Sequence, residues 1–213
     1  CTNNIPLKPP WIGCLHGLGS KFGIMAQKKD MLEIIPPKEI WVGDPEASVE
    51  LVEYGDYQSE ACAKAHEVVK RLVSDYEGKL KFNFRHFPLT RIHQHAHKAA
   101  EAAVAASQEG KFWEMHDMLF RHRRNLGSIS LKTYALDIGI KDKNFLPKLS
   151  DSVFGWTVRA DLLEGLDKGV RDVPVFFING ELYEGRSDYA GLSKAIDSQL
   201  RKRKRKPAGK QRA

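Results

Sequence analysis

Ser59-Glu60-Ala61-Cys62 stands where one pattern ends and another begins. Before it, Val49-Glu-Leu-Val-Glu-Tyr54, rich in β-branched residues and closed by Gly55-Asp56, reads as a strand. After it, Val68, Val69, Leu72, Val73 and Tyr76 recur at helical spacing, so 59–76 reads as an amphipathic helix with Ser59 as its N-cap. Side chains at a helix N-terminus face free backbone N–H groups and the positive end of the dipole, which acidify a thiol and sharpen it as a nucleophile. Two thiols spaced by two residues there can work as a pair, one attacking and the other resolving the mixed disulfide. In this chain the second position is Cys62 and the first is a hydroxyl, far less acidic and unable to form a disulfide.

The elements that position this turn follow along the chain. Leu80, Phe82 and Phe84 alternate with Lys81, Asn83 and Arg85, which predicts a second strand ending at Phe87-Pro88 and so a β-α-β unit. Residues 93–125 predict two helices broken near Gly110, with Phe112, Trp113 and Phe120 in the core and His66 and His116 at surface or boundary positions. Shorter helical pieces fit 131–138 and 143–150, and a longer one fits 152–168. Val175-Phe-Phe-Ile178, Asn179-Gly180 and Glu181-Leu-Tyr183 predict a hairpin with a strong two-residue turn signal. A last helix is expected over about 188–200.

Four of these pieces, in register, resemble the DsbA-like branch of the thioredoxin superfamily. They are Val49–Gln58 leading into the Ser59–Cys62 turn, Arg85-His-Phe-Pro-Leu89 with His93 and His97, Gly110-Lys-Phe-Trp-Glu-Met-His116, and Val173-Pro174 with the hairpin and Tyr183-Glu-Gly185. The resemblance implies an α/β thioredoxin-like fold, β-α-β … β-β-α around a central mixed sheet, with an inserted all-helical subdomain of about 93–150. It also implies thiol–disulfide oxidoreductase chemistry. Cys62 falls on the resolving cysteine and Ser59 on the nucleophilic one. Glu53 falls on a partly buried acid that moves protons near the resolving sulfur. Pro174, after Val173, falls on a cis-proline that faces the site and pairs with an extended peptide or thiol-bearing protein.

Ser59 departs from that pattern. The expectation is a redox-impaired protein that keeps the peptide-binding groove. Two alternatives stand beside it: a single-cysteine oxidoreductase working through Cys62, and a kappa-type glutathione transferase or isomerase in which the Ser59 hydroxyl bonds a glutathione thiolate. Glutathione is the only cofactor any of these readings needs. His93, His95 and His97 with Glu101 invite a metal reading, but two His and one Glu on a helix face fit the family pattern better, and no metal is expected.

Composition bounds the rest. The chain is 213 residues, 42% hydrophobic and 29% charged, an ordinary globular balance. Its formal net charge of +7 is a tail effect: 201–213 hold eight Lys or Arg and no acid, leaving a body of net −1. Nucleic-acid or anionic-surface binding through 201–206 is therefore a minor alternative. No apolar run is long enough to predict a membrane span. Three cysteines (Cys1, Cys14, Cys62) make no disulfide scaffold. The expected domains are a disordered or peripheral segment 1–37, the DsbA-like domain 38–200 and a basic disordered tail 201–213. The first Met is Met25. Translation starting there is one reading of 1–37, and a lipid-bearing Cys1 is another. With no secretory signal visible, a cytoplasmic location is expected.

Overall fold

A computed structural model describes residues 34–205. Its strands are β1 (Trp41–Gly43), β2 (Val49–Gly55), β3 (Leu80–His86), β4 (Val175–Ile178) and β5 (Glu181–Tyr183). They form one sheet in the order β1-β3-β2-β4-β5. β2 runs parallel to β3, and the remaining neighbours are antiparallel, so the sheet is mixed. The helix α1 (Glu60–Asp75) makes the crossover between the two parallel strands. Five helices lie between β3 and β4: α2 (Ala96–Ser107), α3 (Phe112–Arg121), α4 (Ser128–Asp137), α5 (Phe145–Ser150) and α6 (Gly155–Asp167). The last helix, α7 (Tyr189–Arg205), follows β5. This is a thioredoxin-like arrangement.

Both faces of the central strands are covered, which is why β2 and β3 bury polar as well as apolar residues along their length. Alternation sends Leu51, Glu53, Phe82 and Phe84 to one face and Tyr54 and Arg85 to the other. The first face meets α1 and α3, with Phe82 against Trp113 and Phe84 against His116. The second meets α6, where Arg85 pairs with Asp161 at 2.6 Å and Glu164 at 2.5 Å. The hairpin turn has Asn179 at φ 50° and Gly180 at φ 81°, the two positive angles that a primed two-residue turn requires.

The structure departs from the expected element boundaries in three places. β1 is an additional short strand on the edge of β3. α7 continues to Arg205, so the basic segment expected to be disordered begins as helix, in keeping with the good helix propensity of Lys and Arg. At the other end, Pro37 is buried and its carbonyl accepts from Asn83 Nδ2 at 2.6 Å, so 34–37 pack onto the domain. Residues 1–33, with Cys1 and Cys14, and 206–213 lie outside the described residues.

His66 and His116, expected at surface or boundary positions, are buried at 6% and 2% exposure. Aromatic neighbours account for this. His66 stacks on Phe120, and His116 sits edge-on to Phe84 and accepts or donates a hydrogen bond with the Tyr57 hydroxyl at 3.0 Å. His66 also pairs with Asp117 at 3.0 Å, which satisfies its polar edge.

Candidate functional site

The strand pairings bring three loops to one end of the sheet. Gly55 at the end of β2 stands opposite His86 at the end of β3, and Tyr54 stands opposite Val175 at the start of β4. The Ser59 turn therefore leaves the sheet between the loop that follows β3 and the Val173–Pro174 loop that precedes β4. The Val173–Pro174 peptide bond is cis. Val173 is buried, and its N–H is taken by the Asp172 side chain at 2.8 Å. Among the described residues this loop reaches the turn through strand pairing and not through a hydrogen bond to Ser59 or Cys62.

Ser59 is the N-cap of α1: extended in backbone, it accepts the Cys62 N–H on Oγ at 3.3 Å. The hydroxyl thus satisfies one of the free donors at the helix start. Cys62 lies one turn in, with no exposed surface, and its sulfur accepts the Asp56 N–H at 3.4 Å. Burial, and then the charge on Glu53, push its thiol far above the ordinary range, outweighing the hydrogen bonds from Asp56 and Ser59. Glu53 itself is 1% exposed, and its Oε1 has no hydrogen-bond partner among the described residues. Burial raises its carboxyl well above the usual carboxylate range. Gly55 keeps room for this acid. A Cβ there would lie 2.5 Å from the Phe84 ring and 3.2 Å from Glu53 Oε1.

Asp56 organises the turn, a role that reading the sequence missed. Its Oδ1 accepts the Gln58 N–H at 2.7 Å, while Oδ2 takes the Leu89 N–H at 2.8 Å and meets His93 Nδ1 at 2.9 Å. Gln58 adds a second tether, accepting the His95 N–H at 2.6 Å. Four bonds thus fasten the loop after β3 to the turn, counting the Phe87 N–H on the Gly55 carbonyl. An acid directly after a strand and three residues before Ser59 was the available signal.

His93 is therefore engaged with Asp56, and His97 meets Glu101 at 3.4 Å, with Lys98 on the same carboxylate oxygen at 3.0 Å. Among the described residues no group of three or more His, Cys, Asp or Glu is arranged to hold a metal ion. Nor is any of their helices long and apolar enough to cross a membrane.

Comparison with known proteins places this geometry. The thioredoxin family model matches residues 36–198. The chain is similar to the thiol-disulfide exchange protein α-DsbA2 from Wolbachia pipientis, at 26% identity over 74% of this chain and 85% of that one, with a TM-score of 0.65. It also shares its fold with a periplasmic thioredoxin-like protein from Salmonella enterica serovar Typhimurium, at 20% identity over 76% and 89% of the two chains, with a TM-score of 0.63. Among curated sequences it is 33% identical over 192 residues to the Na(+)/H(+) antiporter NhaA 3 of Salinispora tropica. That match takes in 90% of this chain and 29% of the antiporter, so the chain spans under a third of the length of that relative.

These relatives correct the expected compartment. A cytoplasmic location was read from the absence of a visible signal, whereas the similar structures include a protein described as periplasmic. The cytoplasmic reading does not stand. With the family model covering most of the chain and a thiol-disulfide exchange protein of the DsbA type sharing its fold at 26% identity, the chain belongs to the thioredoxin family, in its DsbA-like branch.

Proposed function

We propose that this chain binds extended, cysteine-bearing segments of other proteins at the sheet end between Ser59 and Pro174, and that it does not cycle between dithiol and disulfide. The observation that carries the reading is the state of the one sulfur that the described residues bring to the site. Cys62 is fully buried, its thiol is held protonated by burial, and the position three residues before it offers a hydroxyl already committed as a helix cap. A thiolate is the species that attacks a disulfide, so this sulfur is both shielded and in the wrong protonation state. The peptide-binding half of the reading is supported by the loops that flank the turn, which leave the Val173–Pro174 edge free of hydrogen bonds to Ser59 or Cys62.

The test compares the wild type with Ser59→Cys. The variant puts a second sulfur three residues from Cys62. Its disulfide can then take two electrons and two protons from a reduced dithiol peptide, which leaves as the disulfide. With oxidised glutathione supplied to re-form the variant's disulfide, the wild type is expected to show no oxidation of such a peptide above background, and the variant to turn over. Equal turnover by both proteins would overturn the proposal in favour of a single-cysteine mechanism. Glutathione binding that disappears in Ser59→Ala would overturn it in favour of glutathione transfer.

A further inference from the structure

The flank of the turn nearer the helical insertion carries an excess of positive charge. Glu60, inside the Ser59–Cys62 turn, is 61% exposed on its side chain, and its carboxylate meets Lys64 at 3.0 Å and Arg123 at 3.4 Å. The hydrogen bond and charge of Lys64, then the charges of Arg123 and Arg124, lower its pKa. Arg123 and Arg124 follow the C-cap of α3, His122. On the loop after β3, Arg91 and Ile92 are exposed, Ile92 at 70%, and the Asp56–His93 and Gln58–His95 bonds hold this loop against the turn. Lys64, Arg123 and Arg124 thus surround the single acid that the Ser59–Cys62 turn contributes.

We infer that this flank recognises an acidic side chain of the bound partner segment, while Ile92 lies against an apolar neighbour. The inference rests on the peptide-binding reading and adds the chemistry of the partner to it. Its physical basis is charge complementarity. One carboxylate cannot neutralise Lys64, Arg123 and Arg124 together, so a second carboxylate arriving beside Glu60 gains attraction without displacing an existing pair. The tethered loop presents its side chains without the ordering cost that a loose loop would incur on binding.

Three labelled peptides of one extended apolar sequence, flanked by two Glu, two Gln or two Lys, test this by fluorescence anisotropy on the full chain. The Glu peptide is expected to bind about fivefold tighter than the Gln peptide, the Lys peptide weakest, and the difference to collapse in concentrated sodium chloride. In the Arg123→Glu/Arg124→Glu variant the Glu peptide loses its advantage while the Gln peptide binds as before. Circular dichroism checks that the variant is folded. Equal binding of the Glu and Gln peptides to wild type, or an advantage that survives the double substitution, overturns the charge preference alone. Failure of all three to bind overturns the peptide-binding reading and the inference with it.

Discussion

The backbone N–H of Asp56 donates to the sulfur of Cys62 across 3.4 Å, beneath the first turn of α1. The bond is made from the strand side, so it holds the sulfur toward the sheet and away from solvent. The same residue's carboxylate reaches His93, whose ring is 23% exposed. Asp56 therefore connects the buried sulfur to the surface loop after β3.

Cys62 should be chemically quiet in the folded state. Iodoacetamide at mildly alkaline pH is expected to label it at least about a hundredfold more slowly in native protein than in denaturant, as read by mass mapping of the Cys62 peptide. The folded thiol keeps its proton to higher pH than the unfolded one, so ionisation favours the unfolded chain. Stability should then fall as pH climbs past about 8.5, and Cys62→Ala should flatten that slope. Rapid native labelling would contradict the assignment.

His86 gives the opposite sign at acid pH. It is fully buried, neither ring nitrogen has a hydrogen-bond partner among the described residues, and burial lowers its pKa to about 3. Stability from the neutral ring is present above the unfolded value near 6.5 and is lost as pH falls below it. The loss from this one group approaches about 1.4 kcal/mol per pH unit until pH nears 3. His86→Phe fits among Tyr57, Phe84 and Phe112 and should reduce the fall in urea midpoint between neutral and mildly acid pH. His116, lowered by the same cause, keeps part of the slope. An unchanged slope in the variant would sink this account.

The Arg85 cluster predicts a large and asymmetric effect. Arg85 and Asp161 are 8% and 4% exposed on their side chains, and Asp161 also takes the His86 N–H at 3.0 Å. Arg85→Met strands a buried carboxylate and should cost about 3 kcal/mol in urea unfolding. Changing both partners, Arg85→Met with Asp161→Leu, should recover more than half of that loss. A double variant as unstable as the sum of its parts would show no coupling between the two residues and would overturn this account.

Periodicity made most of the fold legible. Val49–Tyr54 and Leu80–Phe84 carry the strand signature, Asn179-Gly180 admits little but a tight hairpin, and Ser59 before the Val68–Tyr76 stripe marks a helix start. The central turn was equally plain, because Ser59 and Cys62 are neighbours in sequence. What stayed hidden depends on residues far apart. Asp56 meets His93 only because β2 and β3 run parallel and end together, and Arg85 finds Asp161 only once α6 is laid across the sheet. Charged residues and histidines read singly suggest solvent, so the burial of His66, His116 and Asp161 follows from partners that no local window contains.

Both outermost strands of the sheet, β1 and β5, are three residues long, and each is followed within two residues by a turn or bend. An edge that short offers few free amides and carbonyls in line, too few to template the strand of another molecule. The five-stranded platform is therefore self-limiting. Crowded copies of this domain have no long ribbon margin along which to zip together.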